Sequence, residues 1–237
     1  MQTVIDAICV GKIEAFGPDG QPSAIRKSPV SGPVTVSADG VAGDEHGDPA
    51  HHGGADKAVH HYAFDHYRLW AQEFPAAASH FERPAFFGEN LSTTGMTEAT
   101  VCVGDVYRAG TALLQVSEVR QPCWKLAHRS GVAALPLRVQ ETARTGWHYR
   151  VIEPGVIEPG GAMTLEDRPR PEWTLERVLT LLYATPMDRD ELAQMAGLSE
   201  LAEGQRSIAS TRLATGRVEA WARRLTVPGA EPLPGLA

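Results

Sequence analysis

The sequence predicts a mainly β domain, a barrel or a sandwich, followed by a helical C-terminal region. Two observations carry this. Short β-branched runs separated by Gly- and Pro-rich turns fill residues 1–170, and the pattern changes to helical periodicity after Arg168-Pro169-Arg170-Pro171. A third observation bears on function: a predicted strand runs directly into Pro122-Cys123, which delivers a sulfur at a rigid junction.

Residues 4–16, rich in Val and Ile, read as a strand stopped by Gly17-Pro18-Asp19-Gly20, with Cys9 buried in it. Two short strands are expected over 23–30 and 32–37. Tyr67, Trp70, Ala71 and Phe74 fall at i, i+3, i+4 and i+7, so 64–74 is an amphipathic helix that Pro75 ends. Residues 101–107 and 112–116 form paired strands turning at Ala109-Gly110-Thr111. A helix over 135–145 stops at Gly146. Closing strands follow over 147–152 and 162–166, the first sending His148, Arg150 and Ile152 to one face. Beyond residue 170, Leu175, Val178, Leu179 and Leu182 make a helical stripe with Thr174 as N-cap. Residues 188–197 form a second helix, and 203–225 one or two more. The expected division is a β domain over 1–170, a three-helix region over 171–226 and a disordered tail over 227–237.

A net charge of −7 argues against general binding of nucleic acid polymers or anionic membranes. The run from Asp190 to Ser199 resembles the start of a DNA-reading helix-turn-helix. Residues 199–225, however, carry only five basic against three acidic residues, so a docking or dimerising helical cap is expected instead. Three scattered cysteines suit a reducing compartment better than a disulfide framework. With no signal peptide and no apolar run of membrane length, the expected location is the cytoplasm.

Cys123 is the centre of the candidate site. On its own neighbours it reads either as a packed small hydrophobe or as a nucleophile or ligand. Pro122 pushes Gln121 toward an extended conformation and should set Cys123 on the first turn of a short helix. There the helix dipole, Arg120 and Lys125 would favour thiolate. The wider charge pattern supports the second reading. Residues 120–150 hold six basic residues (Arg120, Lys125, Arg129, Arg138, Arg144, Arg150) and one acid, Glu141, which suggests an anionic small ligand.

Five of the nine histidines lie between His46 and His61. Their spacing matches no zinc signature, and adjacent histidines on a strand face opposite ways. Gly53-Gly54 followed by Lys57 reads as an anion-binding turn, with a solvated histidine loop as an alternative of equal weight.

Together, Gly43-Asp44, His52-Gly53-Gly54-Ala55-Asp56-Lys57-Ala58-Val59, Gly88-Glu89-Asn90-Leu91, Gly104-Asp105, Arg120-Gln121-Pro122-Cys123 and Gly146-Trp147 resemble the MOSC domain family. That domain is found at the C-terminus of molybdenum-cofactor sulfurases, and the likeness is to its compact bacterial branch, in which a three-helix region follows. The resemblance implies a closed β-barrel of the pyruvate-kinase-barrel kind, with peripheral helices. It also implies a molybdenum cofactor (molybdopterin) whose metal is bound by Cys123 as thiolate, and two-electron reduction of N-hydroxylated compounds, such as hydroxylamino bases and amidoximes, to amines. The chain has no cluster-binding cysteine set, so electrons would come from a separate reductase.

Candidates for holding the cofactor's phosphate are Lys57, Arg120, Lys125 and Arg150 with Gly53 and Gly54. His52 and Asn90 could hydrogen-bond the pterin or an oxo ligand, and Gln121 and Lys27 complete the set. Arg150 could instead be a surface strand residue, Lys57 a salt-bridge partner of Asp56, and Asn90 a turn residue. Two other functions stand beside the reductase: a cofactor or sulfur carrier using Cys123 without turnover, and a histidine-ligated zinc hydrolase. The oligomeric state stays open, with a homodimer through the helical cap as the expectation.

Overall fold

Alternation along the β-branched runs decides which way each strand faces, and seven of those strands close on themselves. A computed structural model describes residues 2–47 and 53–231. The strands are β1 (Gln2–Val10), β2 (Val59–Ala63), β3 (Leu91–Thr93), β4 (Val106–Ala109), β5 (Ala112–Val119), β6 (Trp147–Glu153) and β7 (Ala162–Asp167). They lie in the order β7-β4-β5-β6-β2-β3-β1. β1 pairs back onto β7, Gln2 opposite Thr164 and Val4 opposite Ala162, so the choice between sandwich and barrel falls to a closed barrel. All these pairs are antiparallel except β2 with β3. A parallel pair needs a long crossover. Residues 64–90 supply it, with helix α1 (Asp65–Glu73) and the 3-10 turn Pro75–Phe81.

The core has two parts. One unites strand residues such as Ile5, Ile8, Leu114, Val116, Trp147 and Tyr149 with Leu175, Val178, Leu179 and Leu182 of the helical region. The other gathers Phe16, Tyr62, Tyr67, Trp70, Phe86 and Phe87 under α1 and the short helices α2 (Lys125–Ser130) and α3 (Leu135–Glu141). Burying each such side chain contributes on the order of 2 kcal/mol.

Several expected elements differ. The strand over 4–16 breaks at Val10, and Glu14–Phe16 forms a separate hairpin with Gln21–Ser23. At the break the chain passes so close to residue 24 that a Cβ on Gly11 would lie 2.8 Å from the Ala24 carbonyl oxygen. Residues 101–105 do not join the barrel. The fully buried Asp105 carboxylate accepts from the Cys102 N–H at 2.9 Å and from Arg168 at 2.7 Å, which folds the segment against Trp173 and Leu175. The helix expected over 135–145 ends at Glu141, because Ala143 turns left-handed at φ +56°.

The C-terminal helices are α4 (Leu175–Tyr183), α5 (Arg189–Ala196), α6 (Glu203–Thr215) and the single turn α7 (Ala222–Leu225). Thr174 caps α4 by accepting the Arg177 N–H at 3.2 Å, and Asp188 caps α5 by accepting the Glu191 N–H at 3.1 Å. Of the tail expected to be disordered from residue 227, Val227 to Ala230 make a turn closed by Ala230 N–H to Val227 O at 3.0 Å. Residues 232–237 lie outside the described residues. Among the described residues no helix is long and apolar enough to cross a membrane.

Candidate functional site

Of the three cysteines, Cys9 and Cys102 are buried and Cys123 is half-buried. Burial pushes the Cys9 thiol up to about 12 and raises that of Cys102. Cys123 instead lines a cavity of about 780 Å³ with Gln21, Pro22, Trp124, Lys125 and Arg223. The reading of Cys123 as a packed hydrophobe therefore falls. Its expected setting needs a correction, since α2 begins at Lys125 and Cys123 precedes it in a turn. Pro122 and the Trp124 ring, packed on Phe16 at 6.2 Å, keep the chain from entering the helix earlier. The first N–H after the cysteine, on Trp124, is taken by the Arg224 carbonyl at 2.7 Å. The helix-dipole argument thus drops out for a six-residue helix that starts beyond the sulfur.

The basic residues of 120–150 do not form one island. Arg138 pairs with Glu73 and Glu141, and Arg144 with Glu73. Arg129 donates to the carbonyls of Ile25, Ala85 and Phe86. Arg150 bonds Asp56 at 2.7 Å and Gln115 and the Glu200 carbonyl at 2.9 Å, so in this structure it braces the barrel wall. Arg120 and Lys125 remain, each 8% exposed and on the segment that carries Cys123. Arg120 Nη2 donates to the Phe87 carbonyl at 3.4 Å, while its Nη1 is buried without a hydrogen-bond partner among the described residues.

Alternation on β2 separates the two strand histidines. His61, fully buried, has Nδ1 at 3.0 Å from the Tyr149 hydroxyl and Nε2 at 2.9 Å from Thr93 Oγ1, and burial lowers its pKa to about 3. It is a neutral core residue. His60 faces the other way, with its ring centroid 5.0 Å from that of His148 on β6. Burial, then the neighbouring His148 and Arg120, hold His60 well below its ordinary pKa. His148 is lowered by burial against the opposing pull of Glu118, whose carboxylate lies 3.1 Å from Nδ1. His60 Nε2, like Arg120 Nη1, is buried and unpartnered among the described residues.

The remaining candidates divide. Lys57 lies 3.9 Å from Glu118. Gly54 has φ +103° and open space where a Cβ would stand, as a backbone that approaches a ligand requires. Gly53 opens the described segment, and His52 lies outside the described residues. Gln121 is half-buried on the segment between β5 and Cys123. Lys27 and Asn90 are corrected to structural roles: both bond the buried Asp44 carboxylate, Asn90 at 2.8 Å, with Lys27 as its ion-pair partner. Asn90 also donates to the Cys9 carbonyl at 3.2 Å and accepts the His60 N–H at 3.0 Å, which leaves its amide no free hydrogen. Among the described residues no three His, Cys, Asp or Glu side chains group as a metal site.

Sequence reading missed His60, His148 and Glu118. The signal was present, because the same alternation that sent His148 and Arg150 to one face puts His60 opposite His148 across β2 and β6. It also missed Glu89. This carboxyl is fully buried, raised by that burial, and holds the Tyr67 hydroxyl and the Ala85 N–H, the latter at 2.6 Å.

The donor set suits an anionic, thiolate-bound cofactor. A thiol is open to a cavity and a lysine stands beside it, while the unpartnered nitrogens of Arg120 and His60 belong to residues outside that cavity's lining. Comparison with known proteins gives the same direction. The sequence model described as the MOSC domain matches residues 48–164, and that described as the YiiM-like, 3-alpha helix domain matches residues 173–216. Protein YiiM of Escherichia coli (strain K12) is 38% identical over 218 residues, 92% of this chain and 96% of that one. A protein of Gibberella moniliformis named Reductase is 41% identical over 177 residues, 74% of this chain but only 31% of its own length. The crystal structure of YiiM from Escherichia coli superimposes with a TM-score of 0.80 at 31% identity, covering 95% of this chain and 99% of that one.

Proposed function

The chain belongs to the MOSC domain family, and from that premise we propose that it is a molybdenum-cofactor-dependent oxidoreductase that reduces N-hydroxylated compounds to amines. The observation that carries this reading is that Cys123, alone of three cysteines, opens onto the cavity, with Lys125 beside it. When bound, the cofactor would supply a two-electron redox centre to which Cys123 contributes a soft thiolate ligand. The chain's own part is to hold and orient. Lys125 and Arg120 attract negative charge, and the N–H groups around Gly53 and Gly54 approach it closely. His60, kept neutral by burial, can donate or accept a hydrogen bond at Nε2 without adding charge. Electrons come from a separate reductase in this reading.

Molybdenum content and reduction of an N-hydroxylated base, measured on the same sample from molybdate-supplied cells, test the reading. About one molybdenum per chain with turnover is expected, and Cys123→Ala should lose both while keeping the melting temperature of the metal-free unaltered protein. Full activity in Cys123→Ala would refute the assignment. Sulfane sulfur on Cys123 without metal would point to a carrier.

A further inference from the structure

The segment that follows the three-helix region belongs to the Cys123 site. After α6 the chain turns at Gly216 and returns across the molecule, and residues 222–223 and 226–230 form one wall of the cavity that Cys123 lines. Arg224 fixes that return. Its carbonyl accepts the Trp124 N–H at 2.7 Å, one guanidinium nitrogen donates to the Pro122 carbonyl, and the other to Gln140 Oε1 at 2.7 Å. The residues on both sides of Cys123 are therefore held by one side chain and its own backbone. Leu225 is 2% exposed, and Trp221 packs edge-on against Tyr183 of α4 at 5.4 Å, so the segment is anchored at both ends of the turn. This docking places the exposed Arg223 among the residues that line the cavity together with Cys123 and Lys125.

We propose that Arg224 is the positioning residue of the Cys123 loop and that Arg223, presented by it, makes this cavity select for a ligand with a negatively charged group. The inference rests on Cys123 being the working thiol of the function proposed above, but not on the metal. The anion would be the phosphate of a resident cofactor or a charged group on the substrate, and both share the chemistry that two cations at the mouth would recognise.

The test uses the full-length, metal-free protein and two aromatic disulfides of similar size, the dianionic dithiobis(nitrobenzoate) and the neutral dithiodipyridine. In each exchange the Cys123 thiolate attacks the reagent's S–S bond. A mixed disulfide forms on Cys123, which is oxidised, and one aryl thiolate leaves reduced. Cys9 and Cys102 are buried, and Cys123→Ala supplies the blank. The ratio of the two rates cancels the thiolate fraction and reports the field at the mouth. Arg223→Glu should lower the ratio about tenfold, as charge inversion within a Debye length of a dianion predicts. Arg224→Ala should lower it by about threefold by letting Arg223 leave the wall, and Arg224→Lys should fall between, since lysine keeps the charge but not the two-pronged grip.

A wild-type ratio in Arg223→Glu overturns the charge assignment. A wild-type ratio in Arg224→Ala, or in Arg224→Lys should the alanine variant not fold, overturns the positioning role. Molybdenum per chain in Arg223→Glu then assigns the anion: a fall identifies the cofactor's phosphate, and a full complement with a raised KM for a charged substrate identifies the substrate.

Discussion

At the scale of single residues, the buried carboxylate that follows Gly43 is a joint. Asp44 accepts from the Gly11 N–H at 2.7 Å, from Asn90 and from Lys27, so it ties β1 to the start of β3 from a side chain only 2% exposed. Lys27 is 6% exposed, and burial lowers its pKa against the pull of Asp44. Removing one partner of such a pair strands the other, which costs about 3–5 kcal/mol. Asp44→Asn should show a loss of that order in urea denaturation. The double variant Lys27→Met, Asp44→Asn should lose clearly less than the sum of the two single variants. Strict additivity would mean that the pair is not coupled. Lys27 and Asn90 were legible as polar residues in the right neighbourhood, but both lie outside the strands, where no alternation tells which way a side chain points. Both were therefore read as ligand contacts when they are braces.

At the scale of elements, the strands and helices with a sustained period were legible, and the short irregular connections were not. Helical periodicity predicted α1 and α4 nearly to the residue, because apolar positions repeat over two turns or more, and Gly-bounded runs did the same for β6 and β7. The split of the first strand and the loss of 101–105 come from contacts distant in sequence, such as Gly11 against residue 24 and Asp105 against Arg168. The turn at Gly17 shows how such a contact bears on the site. Gly17 has φ +82°, and a Cβ there would lie 2.5 Å from the Trp124 ring that follows Cys123. Gly20 has φ +66°, yet its Cβ would meet nothing nearer than 3.8 Å. Both alanine variants carry backbone strain of about 1 kcal/mol, but only Gly17→Ala adds overpacking of about 1–3 kcal/mol. Thermal denaturation should therefore show the larger drop for Gly17→Ala, and equal drops would mean that Trp124 yields freely.

At the scale of the whole molecule, barrel and helical region share backbone pairing as well as core. Gln205 of α6 clasps the end of β5, its amide donating to the Val119 carbonyl at 2.6 Å and accepting the Val119 N–H at 3.3 Å. The Ala202 N–H adds a bond to the Ser117 carbonyl at 2.8 Å. Residue 119 is the last of the strand that leads to Arg120 and Cys123, so the helical region terminates that strand as well as lying against it. Charge gave no hint of this, because the contact is made by neutral amides, and a glutamine inside a helix has no distinctive sequence setting. Two regions joined through a common apolar cluster and a strand end should melt together. Calorimetry is therefore expected to show one transition for the intact chain. Gln205→Leu, which leaves both backbone groups of Val119 buried and unpaired, should lower that single transition by the equivalent of about 2–4 kcal/mol. Two resolved transitions in the unaltered protein would mean that the helices fold independently of the barrel, and the strand end at Val119 would then owe its position to the barrel alone.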